Sequence, residues 1–156
     1  MTAKHFFIKH VHPLDNRHLG LIYGDGEKFV VDIGPVIQGH PTLARLKDPD
    51  VFRSVKVGDF GASVVWDDDD DLELASDNLR ARAIEQMGGF SHEFIWNWMA
   101  KYELSLDDAA IALGLSRRMI AYYRSGQRSV PKTVALACMG FDEALKRDGM
   151  LVALAA

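Results

Sequence analysis

Cysteine is almost absent from this chain of 156 residues; Cys138 stands alone. No intrachain disulfide can form, and no thiolate cluster can hold zinc. Long apolar runs are missing as well, and nothing approaches the roughly 20 residues needed to cross a bilayer. The opening segment Met1 to Phe6 lacks the extended apolar stretch and small-residue cleavage site of a signal peptide. The expectation is a cytoplasmic protein. Gly58-Asp59-Phe60-Gly61 has neither the lysine nor the spacing of a phosphate loop. Ser63, Ser91 and Ser105 sit in no nucleophile elbow. Nothing reads as a catalytic constellation, so neither an enzyme nor a cofactor is expected.

An excess of positive charge is lacking too, because the net charge is −4. Its distribution says more than its sum. Residues 1–80 carry 9 Lys and Arg against 14 Asp and Glu, whereas residues 81–156 carry 9 against 8. Between Ala109 and Phe141 stand Arg117, Arg118, Arg124, Arg128 and Lys132 without a single acid. Salt screens distant charges, so a local basic face on an acidic chain can still attract phosphate.

The two halves also differ in hydrophobic period. In the first, His5 to His12 reads as a strand, and Pro13-Leu14-Asp15-Asn16 turns the chain. Leu19, Leu21 and Tyr23 recur at period two, Asp25-Gly26 signals a hairpin, and Phe29 to Ile33 resumes as a strand ended by Gly34-Pro35. Pro41 to Leu46 and Pro49 to Arg53 each open on a proline and suit a helical turn or two. Ser54 to Val57 and Ala62 to Trp66 are further candidate strands. In the second half, Ser76 is placed to cap a helix running to Gln86 or Met87, and Gly88-Gly89 breaks the chain. Ser91 caps a helix whose Ile95, Trp98, Met99 and Tyr102 form a core face. Ser105 with Asp108 signals another cap before Leu106 to Ala112; Gly114 stops that helix, Ser116 caps the next, and Pro131 opens a fourth. The fold class is α+β, with a small mixed β-sheet domain over 1–80, a linker or connecting helix end over 81–90, and an all-α helix-turn-helix bundle over 91–156.

Two helices of about eight residues are too short to stand alone. They need a bundle, whose core Trp96, Trp98, Leu136 and Met139 are expected to supply. On a wheel of about 100° per residue, Ile120 and Tyr123 point one way, with Met119 near them. Arg117, Arg118, Ala121 and Tyr122 fill an arc of roughly 140° on the other side. Two guanidiniums at the start of such a helix suit entry into a major groove, where arginine grips guanine bidentately. Arg128 and Lys132 flank the following loop, beside the amides of the helix that Pro131 opens.

These residues carry a family resemblance. Ala109-Ala110, Leu113-Gly114-Leu115-Ser116, Ile120, Tyr123, Gly126 and the run Pro131 to Ala137 resemble the lambda-repressor-like, or Xre-type, helix-turn-helix family over about fifty residues. The resemblance implies a sequence-specific regulator of bacterial transcription that binds double-stranded DNA, most simply as a homodimer on a two-fold site. It puts Arg117, Arg118, Ala121 and Tyr122 at base-reading positions, and Arg124, Arg128, Lys132 and Thr133 near the backbone. Two positions depart from the family: Leu106 stands where a glutamine is usual, and Arg124 where a glutamate is frequent. The first half, through Pro13-Leu14, Asp25-Gly26, Val31-Asp32-Ile33, Leu46-Lys47-Asp48-Pro49, Val65-Trp66 and Asp77-Asn78-Leu79, is similar to a small bacterial α+β domain family without an assigned activity. That similarity implies a partner-binding module, with a toxin-like protein as the partner; in a regulator the first half is expected to bind a partner or a ligand. An antitoxin-like adaptor is therefore the alternative to a regulator.

Other features weigh less. Asp67 to Asp71 is a run of five carboxylates, but Leu72 and Asn78 stand where a calcium-binding EF-hand loop needs Gly and Glu. A solvated loop is the plain reading, and competition with DNA for the arginine face is the sharper one. His10 and His12, with His5 or His18, offer a third and weaker alternative, a metal-dependent enzyme, although an exposed strand face explains them equally. Cys138 lies in an apolar run and reads as a buried structural thiol.

Overall fold

A computed structural model describes residues 2–148. The chain divides into two compact units, the first ending at Met87 and the second beginning at Gly88. Residues 149–156, which were assigned to the second domain, lie outside the described residues. No described helix is long and apolar enough to cross a membrane. The class is α+β, and among the described residues the strands belong to the first unit and a helical bundle makes up the second.

Strands β1 (Ile8–Pro13), β2 (His18–Tyr23) and β3 (Lys28–Asp32) form an antiparallel meander in which Val11 faces Leu21 and Leu19 faces Val31. The period-two residues Leu19, Leu21 and Tyr23 are buried, because alternation sends every second side chain of β2 to the core. The β1–β2 turn holds Asn16 and Arg17 at φ 57° and 61°. Two left-handed residues make a type I′ geometry, which matches strand twist. Helix α1 (Gly34–Gly39) follows, where the sequence suggested only the end of a strand. Pro35 is tolerated there because the first helical turn has no use for its missing N–H. A 3-10 segment, Pro41–Lys47, and helix α2 (Pro49–Arg53) match the two proline-led turns.

Strands β4 (Lys56–Val57), β5 (Ser63–Val65) and β6 (Glu73–Ala75) make a second antiparallel sheet. One mixed sheet was expected; every observed pairing is antiparallel, in two sheets of three strands. Helix α3 (Ser76–Gln86) closes the unit. Ser76 is its first helical residue and not its cap; Ala75 takes the cap position, and the Ser76 carbonyl accepts a hydrogen bond from the Tyr23 hydroxyl at 2.8 Å. The connecting helix end expected after residue 80 is the latter half of α3, held to the first unit by buried Ala81 and Ala83 and by Gln86. The Gln86 side-chain amide donates to the Asp32 carbonyl and accepts from the Asp32 N–H, each at 2.8 Å.

Arg80 on α3 is an interior cation with only 11% of its side chain exposed. It donates to the His5 carbonyl at 2.7 Å, pairs with Asp25 at 2.8 Å, and lies 5.0 and 5.1 Å from the Tyr23 and Phe29 ring centroids. Burial alone would raise the Asp25 pKa, but hydrogen bonds from Arg80 and Glu27 with the Arg80 charge hold it below the usual carboxylate range. Burial pushes the Tyr23 hydroxyl pKa up.

The second unit contains α4 (His92–Lys101), α5 (Leu106–Leu113), α6 (Arg117–Arg124) and α7 (Lys132–Asp148). Ile95, Trp98 and Met99 are buried as the wheel required, with Tyr102 packed against them. Trp98 and Tyr102 each meet Phe141 edge-on at 5.2 Å. Three residues expected in this core are outside it: Trp96, Leu136 and Met139 are 50%, 52% and 41% exposed. The register of α7 explains two of them, because Val134, Cys138 and Phe141 occupy the inward stripe at i, i+4 and i+7. On the α4 wheel Trp96 lies about 100° from the middle of the arc of Ile95, Trp98 and Met99, and so faces away from the core.

Cys138 is fully buried, and burial, aided by the charge of Asp142, pushes its thiol pKa up to about 12. The thiolate is the reactive form. The native protein should therefore resist a disulfide reagent at pH 8 and take up one equivalent only when unfolded; rapid labelling of folded protein would contradict this placement.

Candidate nucleic-acid interface

The outer surface of the second unit is set by how α5 and α6 are joined. Ser105 caps α5 through a reciprocal box, in which its hydroxyl accepts from the Asp108 N–H and the Asp108 carboxylate accepts from the Ser105 N–H, both at 3.1 Å. Those hydrogen bonds lower the Asp108 pKa. Helix α5 ends at Gly114, with φ 68° and ψ 33°. The Leu115 N–H reaches the Ala110 carbonyl at 3.0 Å and the Gly114 N–H reaches Ile111 at 3.3 Å, the paired bonds of a Schellman stop. Ser116 then caps α6 by accepting from the Met119 N–H at 3.2 Å. Three residues thus turn the chain between two short helices. A Cβ on Gly114 would meet nothing within 4 Å. Gly114→Ala should therefore cost only the left-handed backbone penalty, about 1 kcal/mol, read as a lower urea midpoint. A loss several times larger would mean the turn is packed more tightly than described.

Helix α6 is anchored by buried Ile120 and Tyr123. Arg117 and Arg118 are exposed, whereas Ala121 and Tyr122, expected on the same outer arc, are half-buried. Tyr122 gathers the basic groups. Arg118 Nε donates to its hydroxyl at 2.7 Å, and the Arg118 and Arg128 guanidiniums lie 5.4 and 4.8 Å from its ring centroid. The backbone secures the arrangement, because the Arg128 N–H donates to the Tyr122 carbonyl at 3.2 Å. Arg124 stacks 4.9 Å from the ring of Trp96, which gives that exposed indole a partner. Lys132 and Thr133 are exposed at the start of α7. Among the described residues, Arg118, Arg124, Arg128 and Lys132 stand in no ion pair with a carboxylate. Arg117 differs, since it pairs with Asp107 of α5 at 3.2 Å.

The Arg118–Tyr122 contact follows from i, i+4 spacing. The Arg128, Trp96 and Asp107 contacts depend on how the helices pack, and sequence reasoning missed them. The remaining candidates lie in the first unit. Arg45 binds both Asp67 and Asp69, and Lys56 binds Asp68, so three carboxylates of the acidic run are engaged by cations of their own unit. Those pairs are solvent-exposed and individually weak. His10 and His12 are exposed on β1. Among the described residues, no three of His, Cys, Asp or Glu are placed to hold a metal ion.

No protein-family model and no curated protein matches the chain. A solved structure does. The crystal structure named "Putative DNA Binding Protein NE0471" from Nitrosomonas europaea superimposes with a TM-score of 0.83 and 38% sequence identity over 94% of each chain. Identity of that order across nearly the whole of both chains means that this protein belongs to the same family as the Nitrosomonas europaea protein.

Proposed function

We propose that the protein binds double-stranded DNA through its second unit and acts as a regulator of transcription, with α6 as the recognition helix of a lambda-repressor-like helix-turn-helix. The observation that carries this reading is the gathering of Arg118 and Arg128 on Tyr122 at α6, joined to capped α5 by a three-residue turn, with neither arginine in an ion pair among the described residues. The name of the Nitrosomonas europaea relative supports it. Arg117, Arg118, Ala121 and Tyr122 face base edges; Arg124, Arg128, Lys132 and Thr133 hold the sugar–phosphate backbone. One helix reads few base pairs, so specificity calls for a homodimer on a two-fold site.

The first unit is then the half that receives a protein partner, of which a toxin-like protein is one kind. Phe60 favours this role. It is 80% exposed and held at φ 56°, an uncommon conformation for a bulky side chain, in the turn between β4 and β5. This same feature favours the second reading, an antitoxin-like adaptor whose helical unit is only a scaffold.

Titrating labelled 30-base-pair duplexes across a salt series separates the two. A regulator shows log affinity falling with log salt at a slope of about −0.9 per phosphate contacted. Absence of binding to any duplex at low salt favours the adaptor.

A further inference from the structure

We propose that Tyr122 is a positioning residue that couples Arg118 and Arg128 into one clamp, set to take a guanine edge and a neighbouring phosphate of the same duplex. This inference rests on the DNA-binding reading above and specifies how that site recognises its target.

Three contacts converge on this tyrosine. Its hydroxyl takes the Arg118 Nε–H at 2.7 Å, and its ring lies near both guanidiniums, at 5.4 Å from Arg118 and 4.8 Å from Arg128. Its own carbonyl accepts the Arg128 N–H at 3.2 Å, which fixes the loop after α6 against the helix. An arginine loses considerable side-chain freedom when it binds. Two arginines already held on one ring forgo part of that loss, and their separation is set before DNA arrives. Using Nε on the tyrosine leaves the terminal nitrogens of Arg118 available, the fork that matches guanine O6 and N7. Arg128 lies beyond α6 in the loop before α7, and a phosphate contact there would fix the register of the helix on the duplex. Neither arginine has a carboxylate partner among the described residues. The base-reading function assigned to Tyr122 thus becomes an indirect one, exercised through Arg118.

The test is a double-mutant cycle on a guanine-containing duplex, with R118A, R128A and the double variant measured in the wild-type and Y122L backgrounds. With Tyr122 present, R118A should weaken binding about ten- to a hundredfold and R128A about tenfold, and the double variant should be at least about fivefold tighter than the product of the two losses. In the Y122L background the losses should multiply. Y122F should retain stacking, lose the Arg118 hydrogen bond, and give intermediate coupling at an unchanged melting temperature. Equal coupling in the Tyr and Leu backgrounds overturns the proposal while leaving DNA binding intact. Failure of the wild type to bind at low salt overturns the DNA-binding reading instead. In the free protein, the Arg118 Nε–H resonance should be resolved and protected, and should lose that protection in Y122F; an unprotected wild-type resonance overturns the clamp without reference to DNA.

Discussion

Replacing Arg118 with alanine should weaken binding to a preferred duplex by about ten- to a hundredfold and flatten the preference at one base pair, whereas replacing Arg117 should cost far less. A bidentate arginine–guanine contact is worth about 1–3 kcal/mol of discrimination, which sets the first magnitude. The asymmetry comes from packing. Arg117 already meets Asp107 at 3.2 Å, so contacting DNA means exchanging one partner for another beside a carboxylate that repels phosphate. Arg118 is held by the Tyr122 hydroxyl and, among the described residues, has no carboxylate to leave. Lys132→Ala, by contrast, should lower affinity for all duplexes alike and make the salt slope shallower by about one unit. Quantitative binding to a selected duplex and to its single-base variants, at two salt concentrations, distinguishes these outcomes. Equal losses at Arg117 and Arg118 would show that the Asp107 pair has no influence on recognition.

The first unit should be acutely sensitive at Arg80. Arg80→Ala should destabilise it by about 1–3 kcal/mol, because it removes a largely buried cation from a carbonyl, two ring faces and the surface carboxylate of Asp25. It would lower the melting temperature of that unit by about 5 °C or more. The change leaves the Asp25 carboxylate, the His5 carbonyl and the faces of Tyr23 and Phe29 without their shared cation. Arg80→Lys should recover only part of the loss, because an ammonium cannot fork between a carbonyl and a carboxylate while lying on two rings. Acid provides an independent check. The folded-state pKa of Asp25 is depressed, so its contribution is complete above the unfolded value of about 3.9 and is lost as pH falls through the folded value. The deficit of Arg80→Ala relative to wild type should therefore shrink below about pH 4. A difference that stays constant into acid would mean that the ring contacts, and not the Asp25 pair, carry the stability.

What could be read from the sequence was whatever local chemistry decides. The caps at Ser105 and Ser116, the stop at Gly114 and the alternation of Leu19, Leu21 and Tyr23 depend on neighbours a few residues away, and each lies where the pattern put it. Strand β6 escaped notice because three residues, with Leu74 only half-buried, leave too short a trace of period two. Helix α1 was hidden behind Gly34-Pro35, a pair that ends strands as readily as it opens helices. Trp96, Leu136 and Met139 are expected to supply core, whereas helix register sends them outward. The same limit applies to the basic surface. The spacing of Arg118 and Tyr122 placed them together, but the approach of Arg128 to that ring and of Arg124 to Trp96 depends on loops and packing that no spacing rule contains.

Backbone amide chemical shifts of the whole chain, followed while a 20-base-pair duplex is added at low salt, test the central claim most directly. The account predicts perturbations concentrated at Ser116 to Arg124 and at Arg128 to Thr133, fading as salt is raised. Shifts confined to residues 2–87, or none at all at saturating duplex, would contradict it.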